Sequence, residues 1–294
     1  MWIYSTLFVI LTGFHIGRTA DWGYWGDHEP NKWPGTCSTG KQQSPINIVT
    51  ANTINTDLGE LKFIRYDHPF TGKVTNSGHT IRVDLFEYPM QLEIKHLSAN
   101  YTFVQMHFHW GSEHTIDDKR YPLELHLVHY NDDYINDLVA SEHRNGLVVL
   151  TILFEMGENN NEGLEPIISG AKSVTEWVGA SFVRINGEVI PELLLPKNRQ
   201  NYYTYKGSLT TPDCKEVVTW FIMKDTLTVS EQQLEVLQNI ESPDGTLKFN
   251  YRPTQSVNNR TIYYNLPGCS SAVKNNFSIY LFVVIYYIFF IKLS

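Results

Sequence analysis

The sequence predicts a single, mainly β domain with a few short peripheral helices. Three observations predict it. Several segments alternate polar and apolar residues at period two and are rich in aromatic and β-branched side chains. Only two segments show helical spacing. No internal repeat, low-complexity tract or Gly/Ser linker interrupts the stretch from about Asp21 to Pro267. With 294 residues, 42% hydrophobic and 13% aromatic, the chain can bury one sizeable core, which excludes a disordered or collagen-like protein. Its net charge is −8 and no basic run is present, so no nucleic-acid phosphate backbone is expected as a partner.

The first twenty residues open on MWIYSTLFVILTGF and end at Arg18-Thr19-Ala20. An apolar stretch followed by small residues predicts a signal peptide over 1–20, too short for a spanning anchor. The domain itself is predicted over 21–267. Its strands are expected at Thr80–Leu85, Gln91–Ile94, Tyr101–Trp110, Leu123–Tyr130, Gly146–Phe154 and Val217–Ile222. Helical spacing appears at Leu164-Ile167-Ile168-Ala171. Ser230 and Gln233 form a capping box ahead of Leu234 and Leu237.

Past the domain, residues 268–294 start with small residues (Gly268-Cys269-Ser270-Ser271-Ala272) and end in the apolar run Phe277–Ile291. As a helix that run reaches roughly 22 Å, short of a hydrocarbon core of about 30 Å. Small residues, a polar spacer and a greasy tail predict a GPI-anchor signal that is removed, with a short single-pass anchor or secretion as the alternatives. The expected location is the extracellular face of the plasma membrane. Both ends carry Arg18, Lys274 and Lys292 and no acid, so trimming them leaves the domain still more acidic. The sequons at Asn100 and Asn259 suit glycosylation of an exported domain. Exported thiols tend to pair, and of three cysteines only Cys37 and Cys214 fall inside the domain, which predicts a Cys37–Cys214 disulfide.

The chemistry concentrates at Gln105-Met106-His107-Phe108-His109-Trp110. In a strand, His107 and His109 share a face with Gln105. In Leu123–Val128, Glu124, His126 and Val128 share another. If these strands pair, His107, His109 and His126 offer three imidazoles and an open position, the arrangement of a catalytic zinc. Gln105 and Glu124, each two residues before a ligand, suit the hydrogen bonds that orient ligating imidazoles.

These motifs resemble the α-class carbonic anhydrases: His107-Phe108-His109-Trp110-Gly111, Ser112-Glu113-His114, Glu124-Leu125-His126-Leu127-Val128-His129, Gln43-Ser44-Pro45-Ile46-Asn47-Ile48, Asn76-Ser77-Gly78-His79 and Ser208-Leu209-Thr210-Thr211-Pro212. They run in family order from Trp22-Gly23-Tyr24 to about Arg252, with the ends similar to the extracellular, GPI-anchored members. The resemblance implies one domain on a large twisted, mostly antiparallel central sheet of about ten strands. It implies a zinc enzyme that hydrates CO2 reversibly by attack of a zinc-bound hydroxide, with Zn2+ on His107, His109 and His126.

By the same resemblance, Thr210 accepts the hydroxide's hydrogen and donates its own to Glu113, and His79 shuttles protons to solvent. Tyr24 orders the intervening waters. Val128, Val149, Leu209, Thr211 and Trp220 line the CO2 pocket, and Cys37–Cys214 matches the family's extracellular disulfide. The implied partners are CO2, bicarbonate and water, sulfonamide and anion inhibitors, the membrane through a lipid anchor, and bicarbonate or proton transporters. One departure is visible: Gly111 is followed at once by Ser112-Glu113, where many relatives carry extra residues. The rival readings are a catalytically silent adhesion module, which typically lacks one or more of the histidines, and a zinc esterase. A small apolar pocket disfavours bulky esters.

Overall fold

The computed structural model describes residues 22–86, 90–176 and 182–269. The signal peptide expected over 1–20 lies outside them, as does all of the expected anchor segment beyond Cys269. No helix of the described residues is long and apolar enough to cross a membrane.

A thirteen-stranded mixed sheet forms the body of the domain. Ten strands lie on one continuous path: β1 (Ile54–Thr56), β2 (Gly72–Asn76), β3 (Ile81–Leu85), β4 (Ala99–Trp110), β5 (Leu123–Asn131), β6 (Leu147–Gly157), β7 (Phe182–Arg184), β8 (Tyr202–Gly207), β9 (Val218–Met223) and β10 (Tyr263–Asn265). Their spatial order is β7-β2-β3-β4-β5-β6-β9-β8-β10-β1. Neighbours are antiparallel except β6 with β9 and β10 with β1. The remaining three strands attach at the sides. Leu61–Ile64 pairs Gln91–Ile94, which pairs the first part of β4, and Leu227–Ser230 runs parallel to β6.

The expected strands all form, most within a residue or two of their predicted bounds. The sheet also takes in β1, β2, β7, β8 and β10, which the sequence reading did not identify. β8 shows why: in Tyr-Tyr-Thr-Tyr-Lys-Gly, five of the six residues are buried, so alternation is erased by burial on both faces.

Alternation along β6 sorts the interior into two clusters. Val148, Leu150 and Ile152 join Met106, Phe108, Trp110 and Leu125 in the larger cluster on one face. Val149 and Leu153 join Trp220, Tyr205 and Ile46 in a smaller one on the other. Two helices cover the larger face. The segment Glu165–Ala171 buries Ile167, Ile168 and Ala171. The helix Glu231–Gln238 starts at the predicted capping box, where Ser230 Oγ accepts from Gln233 N at 3.1 Å and Gln233 Oε1 from Ser230 N at 3.4 Å. It buries Leu234 and Leu237, about 2 kcal/mol each. On the opposite face the polar residues of β4 and β5 lie beside the smaller cluster.

Cys37 and Cys214 are bonded, with Cα atoms 5.0 Å apart across a sequence separation of 177. Beside them the fully buried Arg252 ties distant segments together. Its Nη1 donates to Gln43 Oε1 and Ser44 O at 2.9 and 2.8 Å, and its Nη2 to Cys37 O at 2.7 Å.

Candidate metal centre

Antiparallel pairing of β4 with β5 sets His107 directly opposite His126 and His109 opposite Glu124. The pleat puts all four side chains on the face away from the larger core. One nitrogen from each of His107, His109 and His126 lies within 4.8 Å of the other two. A one-residue slip of either strand would turn its imidazoles into the opposite core.

The second nitrogen of each ring is engaged by an acceptor, and that fixes where the hydrogens are. His107 Nδ1 donates to Gln105 Oε1 at 3.0 Å, and His109 Nδ1 to the carbonyl of Asn250 at 2.7 Å. His126 Nε2 donates to Glu124 Oε1 at 2.6 Å. A carbonyl or carboxylate oxygen accepts only, so in the neutral rings the opposite nitrogens are bare lone pairs. Those are His107 Nε2, His109 Nε2 and His126 Nδ1, and they face one another. His126 Nδ1 and His107 Nε2 stand 3.2 Å apart, and His109 Nε2 is buried without a hydrogen-bond partner. Converging lone pairs of this kind repel unless a cation sits among them. Three neutral nitrogen donors open to a cavity are the donor set of a catalytic zinc.

Electrostatics disfavour protonation of His107 and His126. Burial first, then the neighbouring His126, His109 and Arg82, holds His107 well below the usual imidazole range. Burial lowers His126 too, against the opposing pull of Glu124. Burial alone would raise the Glu124 carboxyl, but His114 and His126 outweigh it and keep the group ionised. A second grouping, His114, Glu124 and His126, is instead closed by hydrogen bonds onto Glu124 Oε1, at 2.7 and 2.6 Å.

A cavity of about 220 Å³ opens over the imidazoles and is lined by Tyr24, His79, His107, His109 and Thr211, among others. His79 follows the left-handed Gly78 and stacks on Trp22, ring centroids 3.7 Å apart. Burial, reinforced by the charge of Glu113, keeps the Tyr24 phenol protonated well above its ordinary range. Val128, Val149 and Trp220 form one row across β5, β6 and β9. Leu209 packs into the same apolar cluster, so the four wall residues do come together.

Glu113 is fully buried despite the short connection. Gly111, at φ 70°, makes the turn, and a Cβ there would meet the Tyr251 ring at 2.6 Å. Ser112 Oγ closes it by donating to His114 O at 2.6 Å. Glu113 Oε1 accepts from Arg252 N at 3.0 Å, and Oε2 lies 3.5 Å from His109 Nε2. The expected donation from Thr210 to Glu113 is not made here: Oε2 has no hydrogen-bond partner and is turned towards the imidazoles. Thr210 itself is buried.

Sequence reasoning missed several residues that hold the site. Asn250 supplies the acceptor for His109 and, through Oδ1, accepts from Trp110 N at 2.7 Å. His114 Nε2 is 2.8 Å from the Tyr205 hydroxyl, which is 2.8 Å from Ser44 Oγ. Ser44 Oγ in turn accepts from Ser208 N at 3.1 Å. A buried chain thus joins His126, through Glu124, to the segment bearing Thr210. These partners are far apart in sequence and no local pattern announces their pairing, although His114, Ser44 and Ser208 fall inside the motifs that carry the family resemblance.

Residues 27–266 match the family model of eukaryotic-type carbonic anhydrase. Putative carbonic anhydrase 3 of Caenorhabditis elegans is 35% identical over 263 residues, covering 84% of this chain and 98% of that protein. Carbonic anhydrase 6 of Homo sapiens is 33% identical over 294 residues, covering 94% and 93%. Carbonic anhydrase 4 of Mus musculus is 33% identical over 248 residues, covering 80% and 78%. Likeness along nearly the whole domain accompanies three imidazoles on paired strands, and the chain belongs to the eukaryotic-type carbonic anhydrase family.

Proposed function

We propose that the protein hydrates CO2 reversibly to bicarbonate and a proton, with Zn2+ held by His107, His109 and His126, at the outer surface of the cell. One observation carries the reading: three hydrogen-bonded imidazoles present three bare nitrogens to one another within 4.8 Å. When bound, zinc supplies a Lewis acid that brings the pKa of water to about 7, an effect for which carbonic anhydrase is the type case. Gln105, Asn250 and Glu124 orient the ligands by accepting their second N–H. CO2 rests against Val128, Val149, Leu209 and Trp220, with Thr211 at the rim. The Thr210 N–H holds a substrate oxygen, and its hydroxyl donates to Glu113 Oε2, the carboxylate oxygen that is unpartnered. His79 takes the released proton from waters ordered by Tyr24 and hands it to solvent.

The Cys37–Cys214 disulfide favours an oxidising compartment. With it belong the signal peptide over 1–20, a catalytic domain over 21–267 and a GPI-anchor signal over 268–294. Glycans on Asn100 and Asn259, both exposed, fit the same compartment. The silent adhesion module is disfavoured by the intact histidine set.

Stopped-flow CO2 hydration, read beside zinc content, tests this. The protein is expected to carry one zinc and to hydrate CO2 in a sulfonamide-sensitive way, and His107→Ala to lose both. His79→Ala is expected to keep zinc but lose at least about tenfold in weak buffer, recovered by added imidazole. Zinc without hydration in the unaltered protein would leave the adhesion module standing.

A further inference from the structure

One full positive charge lines the metal-site cavity, and the register of the sheet puts it there. Arg82 on β3 is the cross-strand partner of His107 on β4, so its side chain rises from the same face as the imidazole. Among the residues lining the cavity, Arg82 is the only Lys or Arg, and no Asp or Glu is present.

The guanidinium is held in place. Its Nε and Nη2 both donate to Asp84 Oδ1, at 2.8 and 2.6 Å. Asp84 lies two residues on, on the same face of β3. Its other oxygen is 3.7 Å from Lys73 Nζ. Two cations therefore share one carboxylate, and the trio keeps one unit of positive charge. The Arg82 side chain is 45% exposed, and its remaining donors meet no acceptor among the described residues.

The chain as a whole is electrically the reverse, at a net −8. An anion approaching the protein is repelled on average, and a cation fixed in the mouth of a low-dielectric cleft focuses the field that draws it in. Of the two carbon species in the reaction, CO2 is neutral and bicarbonate is an anion. We propose that Arg82 is the anion-docking residue of this cavity, receiving bicarbonate, and small inorganic anions of the same charge, between solvent and the three imidazoles. This rests on the carbonic anhydrase reading above. Arg82 acts by charge and by its unused donors, outside the metal ligands.

The test uses the zinc-loaded full chain, with thiocyanate as probe in mildly acidic buffer. Its affinity is read by calorimetry and by competition in CO2 hydration. Arg82→Gln is expected to weaken thiocyanate about fivefold, the effect of one unit charge several ångströms away in a half-exposed site. Arg82→Lys restores most of it. Asp84→Asn removes a negative charge and tightens thiocyanate by a similar factor, whereas a merely structural ion pair would make both variants shift in one direction. The kcat/KM for neutral CO2 in alkaline buffer stays within about twofold, because an uncharged substrate gains no Coulomb energy. Raising the salt from about 20 mM to about 0.5 M brings wild type and Arg82→Gln together.

Unchanged thiocyanate affinity in Arg82→Gln, or a shift of the same sign in Asp84→Asn, with zinc and hydration normal, overturns this assignment alone. A wild-type protein that neither holds zinc nor hydrates CO2 overturns the parent reading and takes this one with it.

Discussion

His126 sits directly across the sheet from His107, and their facing nitrogens stand 3.2 Å apart with no hydrogen between them. Gln105 and Glu124 enforce that arrangement by capturing the only hydrogen on each ring. The native fold therefore holds a cluster that a bound cation relieves. Stripping zinc with a chelator is expected to lower the melting temperature, and adding it back to restore it, because a ligand of the native state stabilises by mass action. Glu124→Gln is expected to weaken zinc about 10–100-fold while the protein stays folded, read by competition with a chromophoric chelator.

Glu113 is anchored by one oxygen to Arg252 N and leaves the other unpartnered beside His109. Replacing the free oxygen with an amide removes the acceptor proposed for the Thr210 hydroxyl. Glu113→Gln is expected to retain zinc and lose about a hundredfold in hydration kcat/KM, the scale of a lost orientation. Thr210→Ala is expected to give a loss of the same order. A zinc assay beside stopped-flow kinetics separates this outcome from ligand loss.

His129 is fully buried, 2.6 Å from the Tyr66 hydroxyl, and burial lowers its pKa from 6.5 to about 4. The native state refuses a proton that the unfolded chain accepts. The contribution to stability is therefore complete above pH 6.5 and is lost as pH falls from 6.5 towards 4. Its size is about 3 kcal/mol. His129→Gln, which does not titrate, is expected to flatten that acid limb, seen in urea midpoints measured near neutrality and in acid.

The disulfide closes a long loop and fastens the Thr210 segment, since Cys214 N donates to Thr211 O at 2.8 Å and Gln43 Nε2 to Cys214 O at 3.1 Å. Substituting both cysteines with serine is expected to cost about 2–5 kcal/mol. Hydration activity is expected to fall with heating before the sheet unfolds, visible as an activity midpoint below the circular-dichroism midpoint. Arg252→Ala, which strips buried partners from Gln43, Ser44 and Cys37, is expected to cost about 3 kcal/mol.

Period-two alternation carried much of the fold. Gln91–Ile94 formed between the bounds read from the sequence, and Ser230 with Gln233 started the helix their spacing announces. The alternation also put His107 and His109 on one face of β4. These features are local, dictated by the pleat or by a helix's first turn, so consecutive residues suffice to reveal them. β8 was invisible because its neighbours bury both of its faces and no period survives that, and β10 because its three residues are too few to display a period. The two parallel contacts on the path, β6 with β9 and β10 with β1, depend on crossovers no short window encodes.

At the site, residue type and spacing along the chain were enough to single out the three histidines that cluster, Gln105 and Glu124 before them, and the Cys37–Cys214 pair. What surrounds them came from the folded arrangement. Asn250 reaches His109 across 141 residues, Arg252 reaches Glu113 across 139, and Arg82 comes beside His107 by strand pairing. Ligand identity is a property of residue type and strand face, which the chain spells out in order. Hydrogen-bond closure and the field in a cavity are properties of distance in space, which folding alone supplies.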